Sequence, residues 1–214
     1  MTRSILKGFI TSCLLFISVA SQAQFPSELW HEGKIVLVNS DTVKGNIKYD
    51  LDRDIIQINN INGTEAYTAK KVLYFNFFDE TAHQYRQFYA LPFRITSEYK
   101  TPVFFEVFLQ GKMTLLAREF ITVRTVSYGN TALSGSNYSQ QILAYRYYFL
   151  DDQGEIERLQ NNKRQLYQIF KKKESEIRQY VKRNRFRFDN KSDMMQLTEY
   201  YNRLVAPENI ETNE

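Results

Sequence analysis

The chain has 214 residues, of which 43% are hydrophobic and 15% aromatic, and its formal net charge is +4. This mild basicity does not define a partner by itself, so the distribution of the charges matters more than their sum. The only cysteine, Cys13, lies in a segment that we expect to be removed. Its removal would exclude disulfides, cysteine nucleophiles and cysteine-ligated metals together.

The N-terminus has the order of a secretory signal peptide. A basic region at residues 2–7 precedes an apolar run at 9–20 and small residues at 21–23. The apolar run is shorter than the roughly 20 residues of a membrane-spanning helix. We therefore expect residues 1–23 to be cleaved after Ala23, and the product to be exported to the periplasm, the outer-membrane periphery or the medium.

The context of Cys13 is similar to that of a bacterial lipoprotein signal. The apolar run continues past this cysteine, however, where the sequence of a lipoprotein turns polar, and this argues against lipidation. Cleavage after Ala23 removes Arg3 and Lys7, so the formal charge falls from +4 to +2.

Residues 24–159 have the alternating apolar pattern of β-strands joined by short turns. Strands are predicted at residues 34–38, 42–49, 55–58, 64–68, 72–78, 85–90, 103–110, 113–118, 145–150 and 155–159. The stretch around Pro92 and Pro102 and the Ser-, Asn- and Gly-rich segment 127–140 are predicted to be irregular. With no long helices between strands, the pattern favours an antiparallel sheet of about eight to ten strands, curved or closed into a barrel or sandwich.

Residues 160–206 change to helical spacing and predict a cap of three short helices. Asn190 or Ser192 is the expected cap of the third helix. Its apolar stripe consists of Met194, Leu197, Tyr201 and Leu204. Because such short helices cannot bury their apolar faces alone, we expect them to pack on the sheet as one unit of α+β class. Residues 207–214 are predicted to be a flexible tail.

Several short motifs are shared with a known group of proteins. They are Gly33-Lys-Ile-Val-Leu-Val, Asp41-Thr-Val-Lys-Gly-Asn-Ile-Lys-Tyr, Phe104-Phe-Glu-Val, Gly111-Lys-Met-Thr-Leu and Glu199-Tyr-Tyr-Asn202. In these motifs the chain resembles a group of secreted proteins from Bacteroidetes. The resemblance implies an envelope location and a layout of sheet followed by helices, and it implies no activity or catalytic residue.

Positive charge is concentrated in the helical part. Between Arg158 and Lys191 there are 12 basic residues and only three acidic ones, Glu174, Glu176 and Asp189. We select as a candidate anion-binding site Lys171, Lys172, Lys173, Arg178, Lys182, Arg183, Arg185 and Arg187.

Phe186 and Phe188 alternate with these arginines. Basic and aromatic side chains together can grip phosphates and stack on flat ligands. In an exported protein, head groups of anionic lipids or of lipopolysaccharide are favoured over nucleic acid. In the alternative interpretation, both phenylalanines point into the core and the arginines are merely solvated.

Recognisable catalytic and metal-binding motifs are missing from the sequence. His31 and His83 are the only histidines, and neither has a carboxylate at a diagnostic spacing. Residues 50–54 have the opening spacing of a calcium loop, but Ile55 and Ile61 stand where it needs glycine and glutamate. We expect a polar turn there, and no cofactor.

Thr42 follows Asp41 and precedes an apolar residue. This is the short context of O-glycosylation in Bacteroidetes, so Thr42 is a candidate acceptor. A turn that leads into a strand explains the same three residues.

These observations favour a non-enzymatic, envelope-associated binding or structural module whose partner is an anionic envelope component or another envelope protein. Two alternatives stay open. The aromatic residues could line a β cavity that carries a lipid or glycan, or they could fill the core. A hydrolase without a recognisable motif is the third hypothesis.

Overall fold

The computed structural model describes residues 25–95, 98–127, 137–160 and 162–206. The predicted signal peptide with Cys13 and the predicted tail at 207–214 lie outside the described residues.

Ten antiparallel strands form one curved, open sheet in the described part of the chain, which confirms the predicted α+β class. The strands are β1 (His31–Leu37), β2 (Thr42–Asp50), β3 (Ile55–Asn60), β4 (Gly63–Thr68), β5 (Val72–Asp79), β6 (Gln84–Phe93), β7 (Thr101–Leu109), β8 (Thr114–Ser127), β9 (Asn137–Leu150) and β10 (Ile156–Arg158). Their order in the sheet is β10-β9-β8-β7-β6-β5-β1-β2-β3-β4. The chain is therefore a meander, except that β5 pairs with β1.

Two segments predicted to be irregular are strands instead. Residues 137–140 pair with residues 124–127 and extend the β8–β9 hairpin, so the interpretation of residues 127–140 as one long loop is wrong at both ends. Residues 128–136 lie outside the described residues.

Pro92 and Pro102 face each other in the β6–β7 ladder. In this region β6 is no longer paired with β5, and β7 is not paired with β8. The missing N–H of each proline therefore costs no ladder bond on its outer side.

Three α-helices follow the sheet: α1 (Lys163–Ile169), α2 (Glu174–Arg183) and α3 (Lys191–Val205). A 3-10 turn at Lys171–Lys173 joins the first two. Asn162 caps α1 by accepting from the N–H of Arg164, and Asn190 caps α3 by accepting from the N–H of Asp193. The predicted cap of three short helices is confirmed.

The helices cover β8 and β9. Alternate residues of these strands, such as Leu115, Tyr147 and Phe149, are buried against the helices. Phe170 contacts both Phe149 and Tyr201, with ring centroids 5.0 Å and 4.8 Å away. This cluster joins the helical cap to the sheet.

A second apolar cluster lies on β1, β2, β3, β5, β6 and β7. Four of its aromatic rings, Tyr49, Phe75, Phe88 and Phe104, contact one another. Strands β1 and β5 approach each other closely at Gly33, where an added Cβ would lie only 2.3 Å from the carbonyl oxygen of Asn76. Only glycine allows so close an approach of the two strands.

Candidate functional site

The structure distributes the eight predicted basic residues over separate places. Lys171 and Lys172 lie beside the β9–β10 turn, where Lys172 Nζ is 3.4 Å from an oxygen of Asp152. Lys173 pairs with Glu176 at 3.8 Å. The eight residues therefore do not form one continuous site.

Arg187 is held by α3. Its backbone N–H donates to Asp193 at 2.9 Å, and its Nε lies 3.4 Å from the same carboxylate. Asp193 is in the first turn of α3, where a carboxylate is favoured. Arg187 thus fixes the loop between α2 and α3.

A concave surface between α1 and α2 brings together the remaining charge. We call it the basic groove. It has a volume of about 600 Å³ and is lined by Lys163, Tyr167, Arg178, Val181, Lys182, Arg185 and Phe186. Four of these seven residues are cationic and none is acidic, so the groove is strongly positive. Arg183 is exposed at the end of α2 but is not among the lining residues.

Three of the four cations have no counter-charge in the described part of the chain. Lys163, Lys182 and Arg185 are exposed, and no described carboxylate lies within 4.0 Å of any of them. Their donors are consequently free to bind an external anion.

Arg178 is the anchored member of the groove. Glu174 accepts from its Nε at 2.7 Å, and the guanidinium carbon lies 4.0 Å from the centre of the Tyr167 ring. Stacking on one side and pairing at the edge hold the guanidinium in a defined plane.

Arg185 occupies an unusual backbone conformation. It follows the C-cap residue Asn184 of α2 and has a φ of 49°, in the left-handed region where glycine is normally found. The arginine therefore stands in the groove at a conformational cost of about 1 kcal/mol.

The two phenylalanines of the basic segment belong to the core. Phe186 is buried, Phe188 packs on the same cluster, and their rings meet edge to face at 5.2 Å. The core interpretation of these two residues is thus the right one. Phe186 also lines the basic groove, so it lies between the core and the groove surface.

A buried ionic cluster, which the sequence analysis missed, connects the neighbouring strands β5, β6, β7 and β8. Arg86 donates to both oxygens of Glu106, at 2.9 Å and 2.5 Å. One of its nitrogens is also 2.8 Å from Glu119 Oε1, and another is 3.6 Å from Asp79. All four side chains are at most 5% exposed. The sequence signal for this cluster was the presence of charged residues inside predicted strands, such as Arg86 in 85–90 and Glu106 in 103–110.

Burial and neighbouring charges shift the pKa values of Arg86 and Glu119. Burial alone would lower the pKa of Arg86, but Glu106 and Glu119 outweigh it and raise the pKa, so the guanidinium stays charged. Burial also raises the pKa of Glu119, and the carboxylate of Glu106 adds to this effect, while Arg86 opposes both. Oε1 of Glu119 lies near Arg86 but has no hydrogen bond of good geometry.

Tyr145 and Lys191 border the cluster. Tyr145 faces Glu119 across β8 and β9, and burial raises the pKa of its hydroxyl. Burial also lowers the pKa of Lys191, whose Nζ lies 3.9 Å from the centre of the Phe108 ring. Since the three carboxylates are almost fully buried and face Arg86, we assign the cluster a structural role.

Two other predicted sites have simple surroundings. Thr42 is exposed as the first residue of β2, so its hydroxyl is accessible. Among the described residues there is no group of three or more His, Cys, Asp or Glu side chains that could hold a metal ion.

Asp54 ends the turn that resembles a calcium loop, and it binds protein groups instead. It accepts from the Tyr49 hydroxyl at 2.6 Å, from Arg118 at 2.9 Å and from the N–H of Phe104 at 3.3 Å. The turn is thereby tied to β7 and β8, at the point where these strands separate.

Comparison with known proteins adds no relative: neither a protein family, nor a curated protein, nor a solved structure matches this chain. In the part of the chain that the structure describes, every helix is too short or too polar to span a membrane.

Proposed function

We propose that this chain is an exported, envelope-associated binding protein without enzymatic activity, and that its basic groove binds phosphate-bearing groups such as the head groups of anionic lipids or lipopolysaccharide. The observation that carries the proposal is the convergence of Lys163, Lys182 and Arg185 around one concave surface, where none of them has a counter-charge among the described residues. The expected export of the chain places such head groups within its reach.

The chemistry of the groove suits a phosphate better than a neutral ligand. The fork of Arg178 is fixed by Glu174 and Tyr167, and it can still offer donors from its outer edge. The flexible lysines add point charges around it. Because the groove is shallow and open, it fits a head group presented at a surface.

The aromatic residues give less support to a carrier. Tyr49, Phe75, Phe88 and Phe104 fill the core by contacting each other, and Phe149 contacts the helices. The hypothesis of an enclosed ligand cavity is based on the high aromatic content of the chain. Their mutual contacts account for the high aromatic content without a ligand.

Vesicle binding tests the proposal. The protein from residue 24 onward is sedimented with neutral phosphatidylcholine vesicles and with vesicles that also contain phosphatidylglycerol, at low and at high salt. We expect binding to the anionic vesicles only, and weaker binding at high salt, because salt screens exposed charges.

Matched variants locate the binding. Lys163→Ala/Lys182→Ala should weaken the partitioning by about 2 kcal/mol, or roughly thirtyfold, at about 1 kcal/mol per lysine. Lys70→Ala/Lys71→Ala removes two exposed lysines from the opposite part of the sheet and should leave it unchanged.

Arg185→Gly separates function from stability. Glycine relieves the left-handed conformation, so urea denaturation should show a gain of about 1 kcal/mol, although vesicle binding weakens. Equal binding to neutral and anionic vesicles, or equal losses in the two double variants, would contradict the proposal.

A further inference from the structure

The outer face of the sheet carries a second surface with the chemistry of a binding site. An open groove of about 1090 Å³ crosses β3, β2, β1, β5 and β6 on the side away from the aromatic core. We call it the polar sheet groove. Its lining includes Glu32, Asn46, Asn59, Asn76, Phe78 and Tyr85.

Three side-chain amides in this groove are unused. Asn46 on β2 and Asn59 on β3 face each other. Asn76 lies on β5, two strands away from Asn46. In the described part of the chain none of the three side chains makes a hydrogen bond, although other asparagines, such as Asn190 and Asn202, do. Each amide therefore offers two donors and an acceptor to a ligand.

An aromatic edge borders the amides. Phe78 and Tyr85 are opposite each other on β5 and β6, with ring centroids 5.1 Å apart. Tyr85, at the β6 end of the groove, is 79% exposed, so its ring is accessible to a ligand. Tyr74 and Tyr89 form a second pair further along the same strands.

The groove has mixed charge. Glu32 opposes the charges of Lys34 and Lys44, which lie on the same face of β1 and β2. A polyanion would gain little here, unlike in the basic groove. The ladder also pairs every strand under the groove on both sides, so an extended peptide finds no free backbone edge to join.

We propose that the polar sheet groove binds a neutral oligosaccharide. Sugar hydroxyls are paired donors and acceptors, which amide and carboxylate side chains match, and the C–H face of a sugar ring packs on an aromatic ring. From Tyr85 on β6 to Asn59 on β3 the groove spans four strand spacings, or about 19 Å. This length fits a short oligosaccharide and exceeds a single sugar.

The test is an array of immobilised neutral oligosaccharides that includes glucans, mannans, xylans and galactans, probed with the labelled protein from residue 24 onward. We expect retention on at least one class and little effect of salt. A protein that is retained on none of them would overturn the inference. Retention that high salt abolishes would do the same, because it would indicate charge pairing at the basic groove.

Variants place the binding at the groove. Asn46→Ala/Asn59→Ala and Tyr85→Ala should each lower the affinity for the retained glycan roughly tenfold. These side chains are exposed, so the fold should tolerate the changes. Tyr99→Ala is the control, because Tyr99 is 80% exposed but lies beyond the far end of β6. Unchanged affinity in both groove variants would overturn the inference, even if vesicle binding through the basic groove is established.

Discussion

Single residues in the core show how charge is tolerated inside this protein. Among the described residues, Arg86 is the one cation in direct contact with the three carboxylates of Asp79, Glu106 and Glu119. Its guanidinium also lies 5.1 Å from the centre of the Phe88 ring. Buried charges are costly unless they are paired, and removal of one partner leaves the others unpaired. The cluster therefore specifies the register of four neighbouring strands.

The stability of Glu119→Gln relative to the wild type should increase as the pH rises. Folding raises the pKa of Glu119, so the folded protein holds this proton more tightly than the unfolded chain does. The wild type consequently loses stability as the pH rises from the usual pKa of 4.5 through the raised folded pKa, and glutamine does not titrate. Urea denaturation of both proteins from about pH 4 to about pH 8 measures the difference.

The sign of that trend is the decisive point. If the wild type instead gains stability relative to Glu119→Gln as the pH rises, Arg86 has a larger effect on the pKa of Glu119 than burial has. Arg86→Met is a useful companion variant. It leaves three buried carboxylates without their cation and should cost about 3–5 kcal/mol, far more than Glu119→Gln.

At the scale of elements, one asparagine attaches the last helix to the sheet. Asn202 on α3 accepts from the N–H of Met113 and donates to the carbonyl of Met113, both at 2.8 Å. The amide thus imitates a neighbouring strand at the β7–β8 turn. Gly111 makes room for it, since a Cβ there would lie 2.2 Å from Asn202 Nδ2. The Gly111 and Tyr-Tyr-Asn202 motifs, seen separately in the sequence, are one contact in the structure.

Asn202→Ala should destabilise the protein by about 1–3 kcal/mol, because both polar groups of the partly buried Met113 backbone lose their partner. Urea denaturation followed by circular dichroism measures the change. Arg203→Ala, at the next and exposed position of the same helix, is the control and should cost less than about 0.5 kcal/mol. Equal effects of the two variants would show that the attachment contributes nothing.

At the scale of the whole molecule, sheet and helices share one core. Leu115, Tyr147 and Phe149 on the strands are buried by Phe170 and Tyr201 of the helical part. No long linker separates the two parts, because Arg158 ends β10 and Lys163 already begins α1. The division at residue 159 therefore marks a change of secondary structure, and we expect the two parts to unfold as one cooperative unit.

A fragment of residues 24–152 should accordingly be insoluble or molten, since it exposes the apolar face that the helices cover. Near-ultraviolet circular dichroism and binding of a hydrophobic dye report the loss of fixed packing. Residues 24–206, which lack only the C-terminal tail, serve as the control and should keep sharp tertiary signals. A shorter fragment that folds as cleanly as this control would show that the sheet is an independent domain.

The sequence by itself determined the class of fold and most of its elements. Alternation of apolar residues, turn residues such as those before Gly63, and the caps Asn162 and Asn190 act within a few positions of the chain. The polar composition of residues 137–140 misled the prediction, because pairing with residues 124–127 in a hairpin satisfies the backbone whatever the side chains are.

Only the tertiary structure decided which distant residues meet. Arg86 and Glu106 are 20 positions apart, and Met113 and Asn202 are 89 apart. The number of basic residues was visible in the sequence, but their ion pairs were not. Arg187 pairs with Asp193, whereas Lys182 and Arg185 have no acidic partner in the described part of the chain. The physical reason is that periodicity tells which face a side chain is on, whereas strand order and helix packing determine what lies opposite it.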